Sequence, residues 1–184
     1  MIKEFSSTNF RIRPIRIDDA DFAFEHWTQS LDVARYTTWI PHRNIEETKS
    51  FIRSRLDGWK KNSYTWIIET GQQKQIVGSF AARRNNHKVD IGYLLLNKYW
   101  GKGYMPEVIS AFIDEAFKIK GISRVWAVCD IENRASKRAM EKAGMEHEGI
   151  LKSWLIHPNL GDEPRDCHCL SIINKITKIT GHTR

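Results

Sequence analysis

No stretch of the 184-residue chain approaches the ~18 consecutive apolar residues of a membrane span, so no membrane-spanning helix is expected. The opening Met1-Ile2-Lys3-Glu4-Phe5-Ser6-Ser7 lacks the apolar run of a signal peptide, and a cytoplasmic protein is expected. Cysteine is scarce and odd in number: Cys129, Cys167 and Cys169. A disulfide scaffold is therefore not expected, and a reducing compartment fits. Cys167 and Cys169 flank His168 at a spacing that invites a metal. In an alternating strand, however, the two thiols share one face and the imidazole takes the other. No second ligand pair is present, so no metal site is expected. Repeats, linkers and low-complexity stretches are also missing, which leaves one domain over 1–184 with a loose tail from 176. The net charge is +7, yet no basic run reaches five residues. Lys60-Lys61, Arg83-Arg84, Lys137-Arg138, Lys175 and Lys178 are dispersed. No continuous nucleic-acid stripe is present, so a solvated surface with a field suited to a small polyanion is expected in preference to a nucleic-acid face.

Two familiar glycine fingerprints are missing as well. Leu94-Leu95-Leu96-Asn97-Lys98-Tyr99-Trp100-Gly101-Lys102-Gly103-Tyr104-Met105-Pro106-Glu107 reads as a buried strand, a short loop and a helix start. A dinucleotide loop needs a third glycine where Pro106 stands, and a P-loop needs four residues between its glycines followed by Lys and Ser or Thr. What remains is a Gly-x-Gly turn feeding a helix. Pro106 is tolerated in a first turn, whose N–H groups have no intrahelical partners. Free N–H groups and the positive end of the helix dipole make an anion site there, suited to phosphate. The plain alternative is a tight turn and nothing more.

A second landmark is Asn133-Arg134-Ala135-Ser136-Lys137-Arg138-Ala139-Met140-Glu141-Lys142-Ala143-Gly144-Met145. Asn133 is a good N-cap, Ala135, Ala139 and Ala143 form a small-residue stripe, and Gly144 is the expected stop. The rest of the chain alternates readily. Asn9 to Ile17 is a first strand that Pro14 marks as an edge or an end. Asp18-Asp19 starts a helix to about Ser30, and Asn44 to Lys61 is a second helix with Phe51, Ile52, Leu56 and Trp59 as its stripe. Between them, Leu31 to Pro41 is irregular and aromatic, with Tyr36, Trp39 and Ile40 close together. Strands follow at Tyr64–Glu69, Gln75–Arg83 and Lys88–Leu96, with a hairpin turn at Asn85-Asn86. Tyr104 to Lys120 is a helix with Val108, Phe112, Ala116 and Ile119 inward, and Gly121 ends it. Arg124–Asp130, Met145–Ile156 and Asp166–Ile173 complete the strands, the last two joined by a long loop from His157 to Arg165.

In order and spacing, the two landmarks resemble the GNAT superfamily of acetyl-CoA-dependent N-acetyltransferases, over roughly Arg11 to Ile173. The similarity is closest to the ribosomal-protein N-terminal (alanine) acetyltransferase branch. The resemblance implies an α/β (α+β) fold: a mixed, mostly antiparallel sheet of about seven strands, helices on both faces, splayed at strands 4 and 5. It implies direct transfer of an acetyl group from acetyl-CoA to a primary amine, either a protein N-terminus or a small molecule, by a monomer or homodimer. A CoA-binding regulator without catalysis and an RNA-associated protein are the rival classes. The resemblance implies that Gly101, Lys102, Gly103, Tyr104 and Met105, with Trp100, hold the pyrophosphate, and that Leu94, Leu95 and Leu96 pair their backbone with the pantetheine arm. One strand N–H would polarise the thioester carbonyl. Lys98 stands where the family has Gln or Arg; it supplies a cation without the planar fork. Asn133 would bond the pantetheine arm. Met140 stands where many members place a Tyr proton donor. Ser136 is the group expected to hydrogen-bond the leaving thiolate, or else it only closes a helical turn. For the base, Asp90 is the first candidate, acting through water, or it is an exposed strand-end charge. Glu163, Asp166 and His157 follow. The resemblance implies that the region 31–41 folds over the acceptor pocket; otherwise its aromatic residues are core residues under a loop.

Overall fold

The computed structural model describes residues 2–174. The expected loose tail lies outside them. Eight strands form one sheet: β1 (Phe5–Ser6), β2 (Phe10–Pro14), β3 (Ser63–Thr70), β4 (Ile76–Asn85), β5 (Lys88–Leu95), β6 (Arg124–Asp130), β7 (Glu146–Leu155) and β8 (Arg165–Ile173). Their order is β1-β2-β3-β4-β5-β6-β8-β7. The strand beyond the expected seven is β1, two residues long, pairing Phe5 with Ile12 and Ser6 with Arg11. All neighbours run antiparallel except β5 and β6. Pro14 is the last residue of β2, where no further ladder donor is needed.

The splay at the expected fourth and fifth strands, here β5 and β6, is present. These two pair only at Lys88–Arg124, Val89–Val125 and Asp90–Trp126. Beyond Asp90, β5 keeps β4 on one side, while β6 keeps β8 on its own far side. A wedge opens between them.

Alternation along the strands feeds two cores, one on each face. Trp66 and Ile68 of β3 join Phe5, Phe80 and Phe112 on one face; Ile67 joins Ile15, Ala23, Trp27 and Ile52 on the other. The first core is aromatic: the rings of Trp66 and Phe112 lie 5.9 Å apart, and those of Phe80 and Phe112 4.9 Å apart. It is covered by α4 (Tyr104–Phe117), whose Val108, Ile109, Phe112 and Ala116 are fully buried. The opposite face is covered by α1 (Ala20–Ala23), α2 (Leu31–Ala34) and α3 (Ile45–Gly58).

The helix expected from Asp18 is a tight turn at Ile17–Asp19, then α1, then a wide turn at Phe24–Thr28. Asp19 closes its start from inside the first turn by accepting the Arg16 N–H at 2.7 Å. The same carboxylate receives two bonds from the Arg13 guanidinium, which also reaches Glu69 at 2.7 Å. The helices over that face bury Arg13, so it takes two carboxylates to offset the lost water. At α3, the Asn44 side chain accepts the Glu47 N–H at 3.0 Å, as an N-cap should. The region 31–41 is less irregular than expected, since it begins with α2 capped by Ser30. Among the described residues, no helix is long and apolar enough to cross a membrane.

Candidate active site

The wedge exposes backbone. In an antiparallel pair, alternate residues turn their N–H and C=O to the partner strand. Leu96 donates its N–H to Val77, which fixes the phase: Leu94, opposite Ser79, and Leu96 spend theirs on β4. Tyr93 and Leu95 therefore turn theirs to the wedge. Of the three leucines expected to pair with a ligand backbone, only Leu95 has the right phase, and Tyr93 joins it. The Leu95 carbonyl already accepts the Trp100 indole N–H at 2.8 Å, while its N–H stays on the open edge. Trp100 thus braces the strand end, with half of its own surface exposed.

The strand leads through a tight turn at Asn97–Tyr99 into the glycine turn. Gly101 and Gly103 have φ of 73° and 77°, in the left-handed region that a Cβ disfavours. A Cβ at either would meet nothing within 4 Å, so both backbones face open space. Gly103 is the residue before α4, and Pro106 stands inside the first turn, where N–H groups are orphaned. Tyr104 and Met105 anchor this turn from below. Tyr104 packs on Phe10 at 4.9 Å, and Met105 is buried in the first core. Met105 has only its backbone left to meet a ligand, while Tyr104 is half-buried. Lys98 and Lys102 are exposed and hold their ammonium groups 5.1 and 5.4 Å from the Tyr99 ring centre, placing two cations beside the turn.

The far wall of the wedge is α5 (Arg134–Lys142). Asn133 caps it by accepting the Ser136 N–H at 3.1 Å, which leaves its amide N–H groups for a ligand. Ser136 Oγ lies 2.9 Å from the Tyr93 hydroxyl, which also donates to the Ser136 carbonyl at 3.2 Å. This contact crosses the wedge from β5 to α5. Burial raises the Tyr93 hydroxyl well above its ordinary pKa, against a smaller opposing effect of Ser136, so it stays a donor. Burial likewise pushes the Cys129 thiol up to about 12, which keeps it an unreactive wall residue of β6. Met140 is fully buried in the core, and Tyr93 brings a hydroxyl to this helix from the other side.

Behind the wedge lies a cavity of about 280 Å³. It exists because the inward positions are small: Ala23, Thr65, Ser79, Ala81, Gly92 and Ala127. Tyr36, Thr37, Thr38 and Trp39 line it from the region 31–41, Phe51 and Arg55 from α3, and Asn133, Ser136 and His157 from the wedge side. The region 31–41 is clasped to the loop after β7. Asn159 donates to the carbonyls of Ala34 and Trp39 at 2.8 and 2.9 Å, and the rings of Tyr36 and His157 meet edge-on at 6.3 Å.

The four expected bases part company here. Asp90 is held by Arg83 at 3.1 Å and does not line the cavity. Glu163 is exposed in the long loop. Asp166 is tied to Lys152 at 2.7 Å and to the Ser153 N–H. His157 alone lines the cavity, 2% exposed. Its Nδ1 lies 3.3 Å from the Thr37 carbonyl; a carbonyl only accepts, so Nδ1 carries the proton. Among the described residues Nε2 has no hydrogen-bond partner, and it lies 3.7 Å from Asp130 Oδ2. Burial would raise the Asp130 pKa, but the Arg165 guanidinium and the Glu132 N–H outweigh it, and the carboxylate is held below its ordinary value.

Sequence reasoning missed Tyr93 and Arg55. Tyr93 could have been found by counting back two from Leu95 along the strand. Arg55 carries no signal beyond its place one helical turn after Phe51. Cys167 and Cys169 do turn inward, and His168 turns out to meet His147 at 3.0 Å.

Residues 9–146 match a family described as an acetyltransferase (GNAT) domain. YnaD of Bacillus subtilis (strain 168), named an uncharacterized N-acetyltransferase, is 38% identical over 145 residues, covering 73% of this chain and 82% of that protein. The crystal structure of a GNAT-family acetyltransferase from Bacillus anthracis is 26% identical with a TM-score of 0.80, covering 92% of this chain and 98% of that one. RimL, a ribosomal L7/L12 alpha-N-protein acetyltransferase solved with coenzyme A, aligns at a TM-score of 0.81 over 92% of this chain and 97% of its own. At 18% identity, that likeness is one of fold.

Proposed function

Because the chain belongs to the GNAT acetyltransferase family, and is by that membership an acetyltransferase, we propose that it moves an acetyl group from acetyl-CoA to a primary amine. The observation that carries this reading is the unpaired edge of β5, which runs from the Tyr93–Ser136 contact to the glycine turn at the head of α4. A coenzyme A molecule would lie along that run. Its pyrophosphate would take the N–H groups of the turn, with Lys98 and Lys102 beside it. Its pantetheine arm would lie along Tyr93 and Leu95 and meet the Asn133 amide. The coenzyme A bound to RimL supports the same cosubstrate here.

Transfer needs the amine nitrogen to attack the thioester carbonyl carbon. The C–S bond breaks, sulfur leaves with the electron pair and takes up a proton, and nitrogen loses one. A strand N–H at the wedge would polarise the carbonyl. The Ser136 hydroxyl would hydrogen-bond the departing sulfur, oriented by Tyr93. A primary amine arrives mostly protonated at neutral pH, so a base helps. His157 Nε2 is the group we assign, directly or through water, because its lone pair is unclaimed and it lines the cavity. Asp130, 3.7 Å away, would attract the positive charge that then develops on the ring. Asp90 is passed over, since its carboxylate is engaged by Arg83 outside the cavity.

The test is calorimetric titration with acetyl-CoA, with ATP and NAD as controls, followed by an amine panel scored by free thiol. Selective acetyl-CoA binding with thiol release is expected. A folded sample that does not bind acetyl-CoA would overturn the reading. Binding with no transfer to any amine would leave a CoA-binding regulator instead.

A further inference from the structure

The cavity wall contains one side chain that is permanently charged. Arg55 lines it from α3, half-buried, with its guanidinium 4.6 Å from the centre of the Phe51 ring. Among the described residues, no carboxylate lies within ion-pair distance of it. Its neighbours one helical turn away are Phe51, Ile52, Gly58 and Trp59, none of them acidic. Among the described residues, no Asp or Glu lines the cavity. Arg11, Arg13, Arg83, Arg124 and Arg165 hold carboxylates, half-buried Arg84 donates to the Asn86 carbonyl, and the other described arginines that lack a carboxylate are exposed to water. Removal from water lowers the pKa of Arg55, and no neighbouring charge opposes it. A cation partly stripped of water, with only a ring face for company, is costly to keep unless something else pairs it.

We propose that the acceptor is an amine that also carries an oxyanion, a carboxylate or a phosphate, and that Arg55 holds this oxyanion while the amine points to the wedge. The proposal rests on the acetyl-transfer reading above. The guanidinium fork matches the paired oxygens of either group. A plain amine arrives as an ammonium and meets a wall with a fixed positive charge and no carboxylate to receive it. An acceptor with its own anion removes that repulsion and fills both ends of the cavity. Trp27, Trp39 and Phe51 offer apolar walls to whatever connects the two ends.

The experiment is acetyl transfer, scored by thiol release, with matched amines: phenylalanine against phenylalaninamide, and phosphoethanolamine against ethanolamine. Wild type, Arg55→Met and Arg55→Lys are compared. In wild type, kcat/KM is expected to be about tenfold or more higher for the oxyanion-bearing member of at least one pair, and which pair separates tells carboxylate from phosphate. In Arg55→Met the preference should vanish through KM, with acetyl-CoA affinity unchanged, while Arg55→Lys keeps part of it. Equal use of both members in both pairs would overturn the proposal and leave acetyl transfer standing. Absence of thiol release from every amine, with acetyl-CoA bound, would overturn the proposal together with the reading beneath it. A second measurement needs no variant. Phenylglyoxal modification of Arg55 in the wild-type protein should be slowed by the favoured amine and not by its neutral twin; equal labelling in both would also refute the assignment.

Discussion

Removing one oxygen from Tyr93 tests the contact that spans the wedge. Tyr93→Phe keeps the ring, which stacks on Phe80 at 6.4 Å, and deletes the hydroxyl that meets Ser136 Oγ at 2.9 Å and the Ser136 carbonyl at 3.2 Å. A neutral hydrogen bond of this kind contributes about 1 kcal/mol net to stability. For a chain of this size, that is a fall in Tm of roughly 2–4 °C. Ser136 is half-buried and its N–H stays bonded to Asn133, so α5 should remain in place. The effect on turnover is a different quantity. If the Ser136 hydroxyl serves the leaving sulfur, Ser136→Ala should lower kcat by about a hundredfold, at the low end of proton-transfer contributions. Tyr93 only orients that hydroxyl, so Tyr93→Phe should cost about tenfold, and the double variant should be no slower than Ser136→Ala, as groups that act as a unit behave. The assay is kcat from thiol release alongside acetyl-CoA affinity from calorimetry. Losses that multiply in the double variant would show that the two hydroxyls act independently. Equal losses in kcat and in acetyl-CoA affinity would return Ser136 to a purely structural role.

Gly103→Val forces a β-branched residue to φ 77° and points its methyls into the open side of the turn. Strain of about 1–2 kcal/mol is expected in thermal unfolding, and acetyl-CoA affinity should fall beyond that; unchanged affinity would remove the turn from the cofactor site. His157→Gln keeps a polar side chain but loses the proton acceptor, so kcat should drop with acetyl-CoA affinity unchanged. A wild-type kcat would exclude His157 as the base. Glu148 is held down to about 2, from an ordinary 4.5, chiefly by Arg124 and then by Ser171. A depressed carboxylate stabilises the fold fully above its unfolded value and loses that contribution as pH falls through its folded value. Stability should therefore decline between about 4.5 and 2, and Glu148→Gln should show a shallower decline over that window. Parallel acid-unfolding curves would show that the Arg124 pairing is screened away.

The parts of the molecule that could be read from the sequence are those in which backbone geometry restricts the residue type. Left-handed φ at the turn calls for Gly101 and Gly103, the capping bond at α5 calls for Asn133, and the orphaned first turn admits Pro106. The splay followed from the resemblance these residues carry. Local rules failed where pairing partners are distant. β1 is two residues long and is held only by its partner β2, so no alternation marks it. Arg13 alternates as a solvent residue would, and only α1, folded over it with Asp19, turns it into a buried ion pair. Asp90 has the right residue type for a base, yet the register that places it opposite Arg83 takes its carboxylate out of play.

The same distinction divides the proposed active site into two halves. The proposed cofactor half is built from backbone groups, and its sequence marks are glycines, a cap and a proline. The proposed acceptor half is assembled by side chains that meet across the chain. Asn159 reaches the Ala34 and Trp39 carbonyls, and His157 reaches that of Thr37, over separations of 120 residues or more. Nothing local requires an Asn or a His at those positions, since each would be unremarkable in a polar loop. Arg55 is the extreme case. On α3 alone it is one more basic residue, and it becomes informative only when the fold surrounds it with aromatic and small side chains and, among the described residues, brings no carboxylate to it. A family can therefore keep a recognisable cosubstrate site while its acceptor changes, because residues that make the first are constrained by backbone conformation and those that make the second only by each other.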